Sequence, residues 1–255
     1  MMKPSNRYFA SVAMTCLMAV VAPTAHATLL LSGSVSGTDF CASDQNVGCG
    51  FGGVILDGNA AVNRLGLDAV VINGVEVFGS LAIATYGGPQ NILNSSSLQI
   101  INTNNFAVDI LVTVSATDYA PPSLTAFTSG SGTFQDVAGS TVDLRWWNDP
   151  LNRQGAEDPN DTPGNLLDFF NFVSAFAPQS FAHNGGPFNV EDLLPYSITL
   201  QFHVTLPAGA ELVSRGQTVN KDITEIPEPA SPLLFGTGLL LLAWGFRKYR
   251  SNRVD

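Results

Sequence analysis

The chain has 255 residues, 21 acidic against 11 basic, and a formal net charge of −10. That balance argues against nucleic acid as a partner, because backbone phosphates are held by clustered lysine and arginine. Only 13% of the residues are charged and 24 are glycine, the composition of a secreted all-β domain rich in turns.

The N-terminus predicts a secretory signal peptide over residues 1–27. Lys3 and Arg7 supply the positive region, Phe9 to Val21 an apolar core of 13 residues, and Ala25-His26-Ala27 a small-x-small cleavage site. The expected handlers are the Sec translocon and signal peptidase, cutting after Ala27. Cys16 lies inside the apolar core and leaves with it.

Residues 28–226 are predicted to form one exported domain, long enough for a sizeable core. Its 19 acidic residues face five basic ones: Arg64, Arg145, Arg153, Arg215 and Lys221. So acidic a domain is a poor partner for an anionic membrane surface. Two cysteines remain, Cys41 and Cys49, in a stretch that reads as loop. An oxidising compartment favours a disulfide between them; two free thiols are the alternative, and no histidine nearby supports a metal site.

From Val54 onward the apolar pattern has period 2, which predicts strands and no helix. Val70 to Phe78 reads as a hairpin about Asn73-Gly74, the pair that supplies the positive φ of a type I′ turn. Strands are also predicted over Leu81 to Tyr86, Leu98 to Asn102 and Phe106 to Ser115. Ser140 to Trp147 turns Val142, Leu144 and Trp146 inward. Ser197 to Leu206 turns Ile198, Leu200, Phe202, Val204 and Leu206 inward and leaves Thr199, Gln201, His203 and Thr205 outside. Asn165 to Phe176 also fits helical spacing, but its four phenylalanines and its β surroundings favour a strand. The expected fold is an antiparallel β-sandwich, jelly-roll or immunoglobulin-like.

Chemistry is sparse in this domain. His183, placed in a Gly/Asn loop, and His203, on a polar strand face, belong to no catalytic or zinc motif. No catalytic residue is predicted, and the domain reads as non-enzymatic with no resident cofactor. The candidate cation site is the acidic loop following Trp147, where Asp149, Glu157, Asp158, Asn160 and Asp161 offer oxygen ligands that suit Ca²⁺. It lacks the spacing and glycine of an EF-hand, and the competing reading is a solvated loop between strands. Trp146 and Trp147 must point to opposite faces, so one is expected outside, either packed under that loop or free to stack on a sugar ring.

The last thirty residues carry the most specific pattern. Pro227-Glu228-Pro229 is followed by an uncharged apolar run, Leu233 to Phe246, and by a basic end, Arg247, Lys248, Arg250 and Arg253. The run is short for a hydrocarbon core of about 30 Å, but the preceding residues lengthen it and basic side chains snorkel to the headgroups. A single transmembrane helix over 231–246 with a cytoplasmic stop-transfer end is therefore predicted.

This order of parts over residues 227–255 resembles the PEP-CTERM protein-sorting signal of Gram-negative bacteria. The resemblance implies recognition by an exosortase, a membrane-embedded cysteine transpeptidase, with cleavage near Pro227-Glu228-Pro229. It further implies an exported protein, held in the inner membrane by its C-terminal helix before processing and then located at the cell surface or outside the cell. Association with exopolysaccharide and biofilm also follows from the resemblance alone. The second functional expectation is a carbohydrate-binding or glycoside-cleaving sandwich delivered by the same tail.

Overall fold

The computed structural model describes residues 28–44, 53–55, 57–79, 81–85, 89–120, 122–190, 192 and 195–223. The predicted signal peptide, Cys49, the sorting tripeptide, the transmembrane helix and the basic end all lie outside the described residues.

Two sheets form the domain, and their strands are numbered here in chain order. One sheet has seven strands, in the order β12 (Asn165–Val173), β11 (Thr141–Asp149), β14 (Tyr196–Leu206), β9 (Val108–Tyr119), β1 (Leu29–Val35), β2 (Thr38–Ser43) and β3 (Gly53–Val54). The other has eight. Its main path runs β13 (Gln179–Asn189), β10 (Ser123–Gln135), β15 (Glu211–Ile223), β8 (Gln90–Asn102), β6 (Val75–Phe78) and β5 (Val70–Ile72), with β7 (Leu81–Thr85) pairing both β8 and β4 (Arg64–Gly66). All pairings between these strands are antiparallel except β2 with β3. No helix occurs among the described residues, so the fold is all-β and antiparallel, a sandwich of two sheets.

The core forms because alternate residues of facing strands point between the sheets. Val142, Leu144 and Trp146 of β11 and Ile198, Leu200, Phe202, Val204 and Leu206 of β14 are buried, as their period-2 pattern predicts. Val75, Val77, Leu98, Ile100, Phe134, Leu212 and Val219 close the core from the other sheet. The hairpin turn has φ of +49° at Asn73 and +73° at Gly74, the conformation that Asn-Gly favours. The segment from Asn165 is a strand through Val173. An edge strand needs only one buried face, and there Phe170 and Phe172 pack on the core while Phe169 and Val173 stay exposed.

Four sequence expectations are corrected. The region before Val54 contains the strands β1 and β2, and Cys41 lies buried within β2 rather than in a loop. Consecutive residues on both faces of these strands are buried, from Leu29 to Gly33 and from Phe40 to Ser43, which removes the alternation that identifies a half-exposed strand. Cys41 is disulfide-bonded. His183 is on strand β13, not in a loop. Thr199 and Gln201, expected outside, are buried under the loop between β11 and β12. The strand predicted over Leu98 to Asn102 begins at Gln90, and the one predicted from Phe106 spans Val108–Tyr119.

Both ends of the described domain lie at one end of the sandwich. Leu29 pairs with Ala116, Ala116 with Ile198, and Ile198 with Asn148. The Asn148 side chain in turn meets Lys221, two residues before the end of β15.

Candidate functional site

That shared end is where polar chemistry collects. Strand β15 carries a register irregularity between Leu212 and Arg215, with Ser214 at a φ of +53°. The extra residue reverses which side chains point inward. Leu212 points in before it; Arg215, Gln217, Val219 and Lys221 point in after it, and all are buried. A polar seam therefore runs between the sheets.

At the start of the seam, beside the bulge, the Arg215 guanidinium lies over the Phe202 ring at 4.0 Å and donates to Ser95 Oγ at 2.7 Å and to Gln217 Oε1. Gln217 Nε2 donates across the sandwich to the Arg145 carbonyl at 2.7 Å. Among the described residues no carboxylate pairs with Arg215, and burial pushes its pKa down to about 9.

At the end of the seam sits a second cluster. Lys221 Nζ donates to Asp192 Oδ2 at 2.5 Å and to Asn148 Oδ1, and lies 4.1 Å from the Tyr196 ring centroid. Asn148 Nδ2 donates to Asp192 Oδ1 at 2.7 Å. The Lys221 and Asp192 side chains are fully buried. Burial lowers the Lys221 pKa, the nearby Asp192 charge and hydrogen bond oppose this, and the balance falls at about 8. Asn91 Nδ2 donates to the Tyr196 hydroxyl at 2.6 Å, and burial pushes that phenol well above its ordinary range.

Outside this cluster a cleft of about 440 Å³ opens between the edge strands of the two sheets. Three asparagines (Asn148, Asn165, Asn189), two prolines (Pro150, Pro187), Phe188 and the aliphatic Leu166, Leu167 and Val190 line it. Among the described residues the lining holds amides and an aromatic ring and no charged side chain.

A few residues further along the same edge, His183 Nε2 meets Asp168 Oδ2 at 2.8 Å, and Thr128 Oγ1 donates to the same oxygen. The imidazole stacks on Phe170 at 4.8 Å and lies 5.4 Å from Trp146. This links β13 of one sheet to β12 of the other. The carboxylate, not the histidine, bonds the hydroxyl, so the three do not form a nucleophilic triad. His203 stays on the outer face, 3.8 Å from Asp109 Oδ1.

The candidate ligands of the acidic loop are directed to partners within the protein or to solvent. Asp149 is buried and turned to Arg153, at 2.8 Å, and to the backbone N–H groups of Leu151 and Arg153. Burial alone raises its pKa, but those donors outweigh it and the net shift is downward. Glu157, Asp158 and Asn160 are exposed, and the Asp158 carboxylate accepts from the Asn160 N–H at 2.8 Å. Burial, then repulsion from Glu157 and Asp158, raises the Asp161 pKa. Among the described residues no group of three or more His, Cys, Asp or Glu side chains is placed to hold a metal ion. The loop instead covers the outer face of the seven-stranded sheet. Thr113 Oγ1 donates to the Pro159 carbonyl at 2.6 Å, Gln201 Nε2 to the same carbonyl at 3.2 Å, and the Gly155 N–H to Ser115 Oγ at 3.0 Å. Trp146 is the buried member of the tryptophan pair, and Trp147 points to the outer face, half-buried.

The sequence reading missed Lys221, Asp192 and Asn148 altogether. The signal available was a lysine in a strand whose alternate positions, Val219 and Lys221, continue a buried face.

The described residues thus make an antiparallel two-sheet domain whose final strand ends two residues short of position 225. From there, residues 225–250 match the PEP-CTERM protein-sorting motif, so the chain carries a tail that marks a protein for exosortase processing, export and surface sorting. No curated protein matches the chain in sequence. Among solved structures, the carbohydrate-binding module TmCBM61 in complex with β-1,4-galactotriose is similar at a TM-score of 0.33 and 10% identity, over 59% of this chain and 84% of that one. The isomalto-dextranase of Arthrobacter globiformis T6, complexed with panose, is similar at a TM-score of 0.25 and 12% identity, over 58% of this chain and 24% of that one. A structure of infectious bursal disease virus, Gx strain, is similar at 0.28 and 12%, over 80% and 52%.

Proposed function

We propose that this is a non-enzymatic surface or extracellular-matrix protein, anchored by its C-terminal helix, processed by an exosortase and then retained with exopolysaccharide. The sorting motif at residues 225–250 carries this reading. In it, Pro227, Glu228 and Pro229 are the recognition element, and Arg247, Lys248, Arg250 and Arg253 hold the basic end in the cytoplasm. Ala25 and Ala27 mark the signal cleavage, and Cys49 is the partner of Cys41. The test is fractionation of the full chain in a Gram-negative host with and without its exosortase. The domain is expected at the surface or in the medium of the first and in the inner membrane of the second. The same distribution in both would overturn the reading.

A second reading is favoured by the cleft. Asn165 and Asn189 are exposed amides beside Phe188, and amides with a ring face suit the hydroxyls and apolar faces of a neutral sugar. Among the described residues the lining holds amides and a ring and no carboxylate, and we propose binding rather than glycoside cleavage. The full chain should bind a neutral polysaccharide in affinity electrophoresis, and the double substitution Asn189→Ala with Phe188→Ala should abolish the retardation. Equal mobility of both proteins with and without the polysaccharide would exclude the cleft as a sugar site.

A further inference from the structure

The buried cluster at the end of β15 shares only Asn148 with the cleft lining, its Lys221 and Asp192 have no part in either reading, and its composition is unusual. It places an amine, a primary carboxamide and one carboxylate in mutual contact, away from water. The Asn148 amide is oriented unambiguously, with its oxygen on the lysine donor and its nitrogen on the carboxylate acceptor. Asp192 touches both reacting nitrogens, Oδ2 on Lys221 Nζ at 2.5 Å and Oδ1 on Asn148 Nδ2 at 2.7 Å. A side chain that bridges the entering and the leaving nitrogen of an acyl transfer is placed to carry the proton between them.

We propose that Lys221 and Asn148 become joined by an intramolecular amide bond, formed by the folded domain itself with Asp192 as the acid–base group. The ammonium first gives a proton to Asp192, leaving a neutral amine. The Nζ lone pair then adds to Cγ of Asn148, and the carbonyl π pair moves to Oδ1. Collapse of this intermediate restores the carbonyl and breaks the Cγ–Nδ2 bond, while Asp192 delivers a proton to Nδ2. Nζ loses two protons in all. One leaves on the departing ammonia, and the second leaves with it as ammonium, which returns Asp192 to its carboxylate. No oxidant, metal or water is consumed.

Three features of the site support this step. Burial disfavours the charged lysine and brings its pKa to about 8, so the nucleophilic form is accessible near neutral pH. Contact between amine and amide replaces a bimolecular encounter that does not proceed in water. Asp192 is the one carboxylate at the cluster among the described residues. It is therefore needed as the proton carrier, and Asn148 is the acyl group. The bond would tie β15 of the eight-stranded sheet to β11 of the seven-stranded sheet, two residues before β15 ends and four before the sorting motif begins. Load applied through the tail would then fall on both sheets, where the hydrogen bonds of β15 alone would otherwise carry it.

The experiment is intact mass and tryptic mapping of the full chain purified from a Gram-negative host. The expected result is a mass short by one ammonia and a branched peptide joining the segment with Asn148 to the segment with Lys221, uncut after Lys221. The Asp192→Asn and Lys221→Arg variants should retain the ammonia and yield no branched peptide. An unmodified mass with tryptic cleavage after Lys221 overturns the proposal. So does loss of ammonia without a branched peptide, which means a succinimide at Asn148, or loss of water, which means Asp192 was the acyl group. Retention of the cross-link in Asp192→Asn removes the acid–base role. The unsubstituted chain decides the existence of the bond even if a variant fails to fold.

Discussion

Alanine at position 215 is expected to lower the stability of the domain by about 3 kcal/mol or more, because it opens a cavity in a close-packed interior. Arg215 is fully buried, its guanidinium covers the Phe202 ring at 4.0 Å, and its donors satisfy Ser95 and Gln217. Truncation removes those dispersion contacts and leaves Gln217 Oε1 without its donor, a further cost of about 1–3 kcal/mol. Against this stands relief from burying a cation that, among the described residues, has no carboxylate beside it. Methionine separates the two effects. It fills much of the same space without a charge, so Arg215→Met should be about as stable as the parent or more so. Urea denaturation of the three proteins, with equal slopes, provides the comparison. An alanine variant with an unchanged midpoint would mean that the desolvated charge costs as much as its packing contributes. A total stability of about 5–15 kcal/mol is usual for a domain, so the alanine change consumes a large share of it.

The same residue shows why part of the fold was hidden in the sequence. Strands β11 and β14 were legible because each has one apolar and one polar face, and the alternation Val142, Leu144, Trp146 survives as the buried face. Strand β15 has Arg215, Gln217 and Lys221 at its inward positions, so its pattern reads as solvent-facing. Its bulge also breaks the period that a strand is recognised by. Strand β10 was hidden differently. Gly130 and Gly132 occupy inward positions, and a Cβ at either would lie 2.4 Å from Leu144 Cδ1 or 2.6 Å from Phe181 Cζ. A glycine required by a neighbour's ring is indistinguishable, in one sequence, from a glycine required by a turn.

The candidate site was less legible than the fold for a related reason. Asn148, Asp192 and Lys221 are drawn from β11, the connection before β14, and β15, and each residue type is ordinarily exposed. Only the pairing of two sheets brings them together, and no spacing along the chain encodes that. The acidic loop shows the opposite relation between sequence and structure. Its carboxylates are adjacent in sequence, but Asp149 is committed to Arg153 and the loop backbone is committed to Thr113, Ser115 and Gln201 of the sheet beneath. The sorting motif was legible as a sequence pattern, since it is defined by the order of residues along the chain and not by a tertiary contact.

Alanine at Glu228 is expected to stop processing while leaving membrane insertion intact. In the proposed function, insertion depends on the apolar area of Leu233 to Phe246 and on the basic residues after it, and neither changes. Recognition by a transpeptidase depends instead on a short extended segment that enters a cleft at low entropic cost. Pro227 and Pro229 provide that segment by holding φ near −65°. They leave Glu228 as the one side chain between them that distinguishes this dipeptide frame from any proline-rich spacer. Strand β15 ends at Ile223, and four residues to Pro227 reach at most about 14 Å when extended, so an enzyme that reads Pro227-Glu228-Pro229 is expected to work close against the folded domain. Neutral residues in place of Arg247, Lys248 and Arg250 should have the opposite effect, impairing orientation and retention while leaving the tripeptide readable. The measurement is the ratio of anchored to tail-free protein after membrane fractionation, in a host that contains an exosortase. Wild-type processing of Glu228→Ala would reduce the tail to a plain anchor, and loss of insertion in that variant would place the effect upstream of the enzyme.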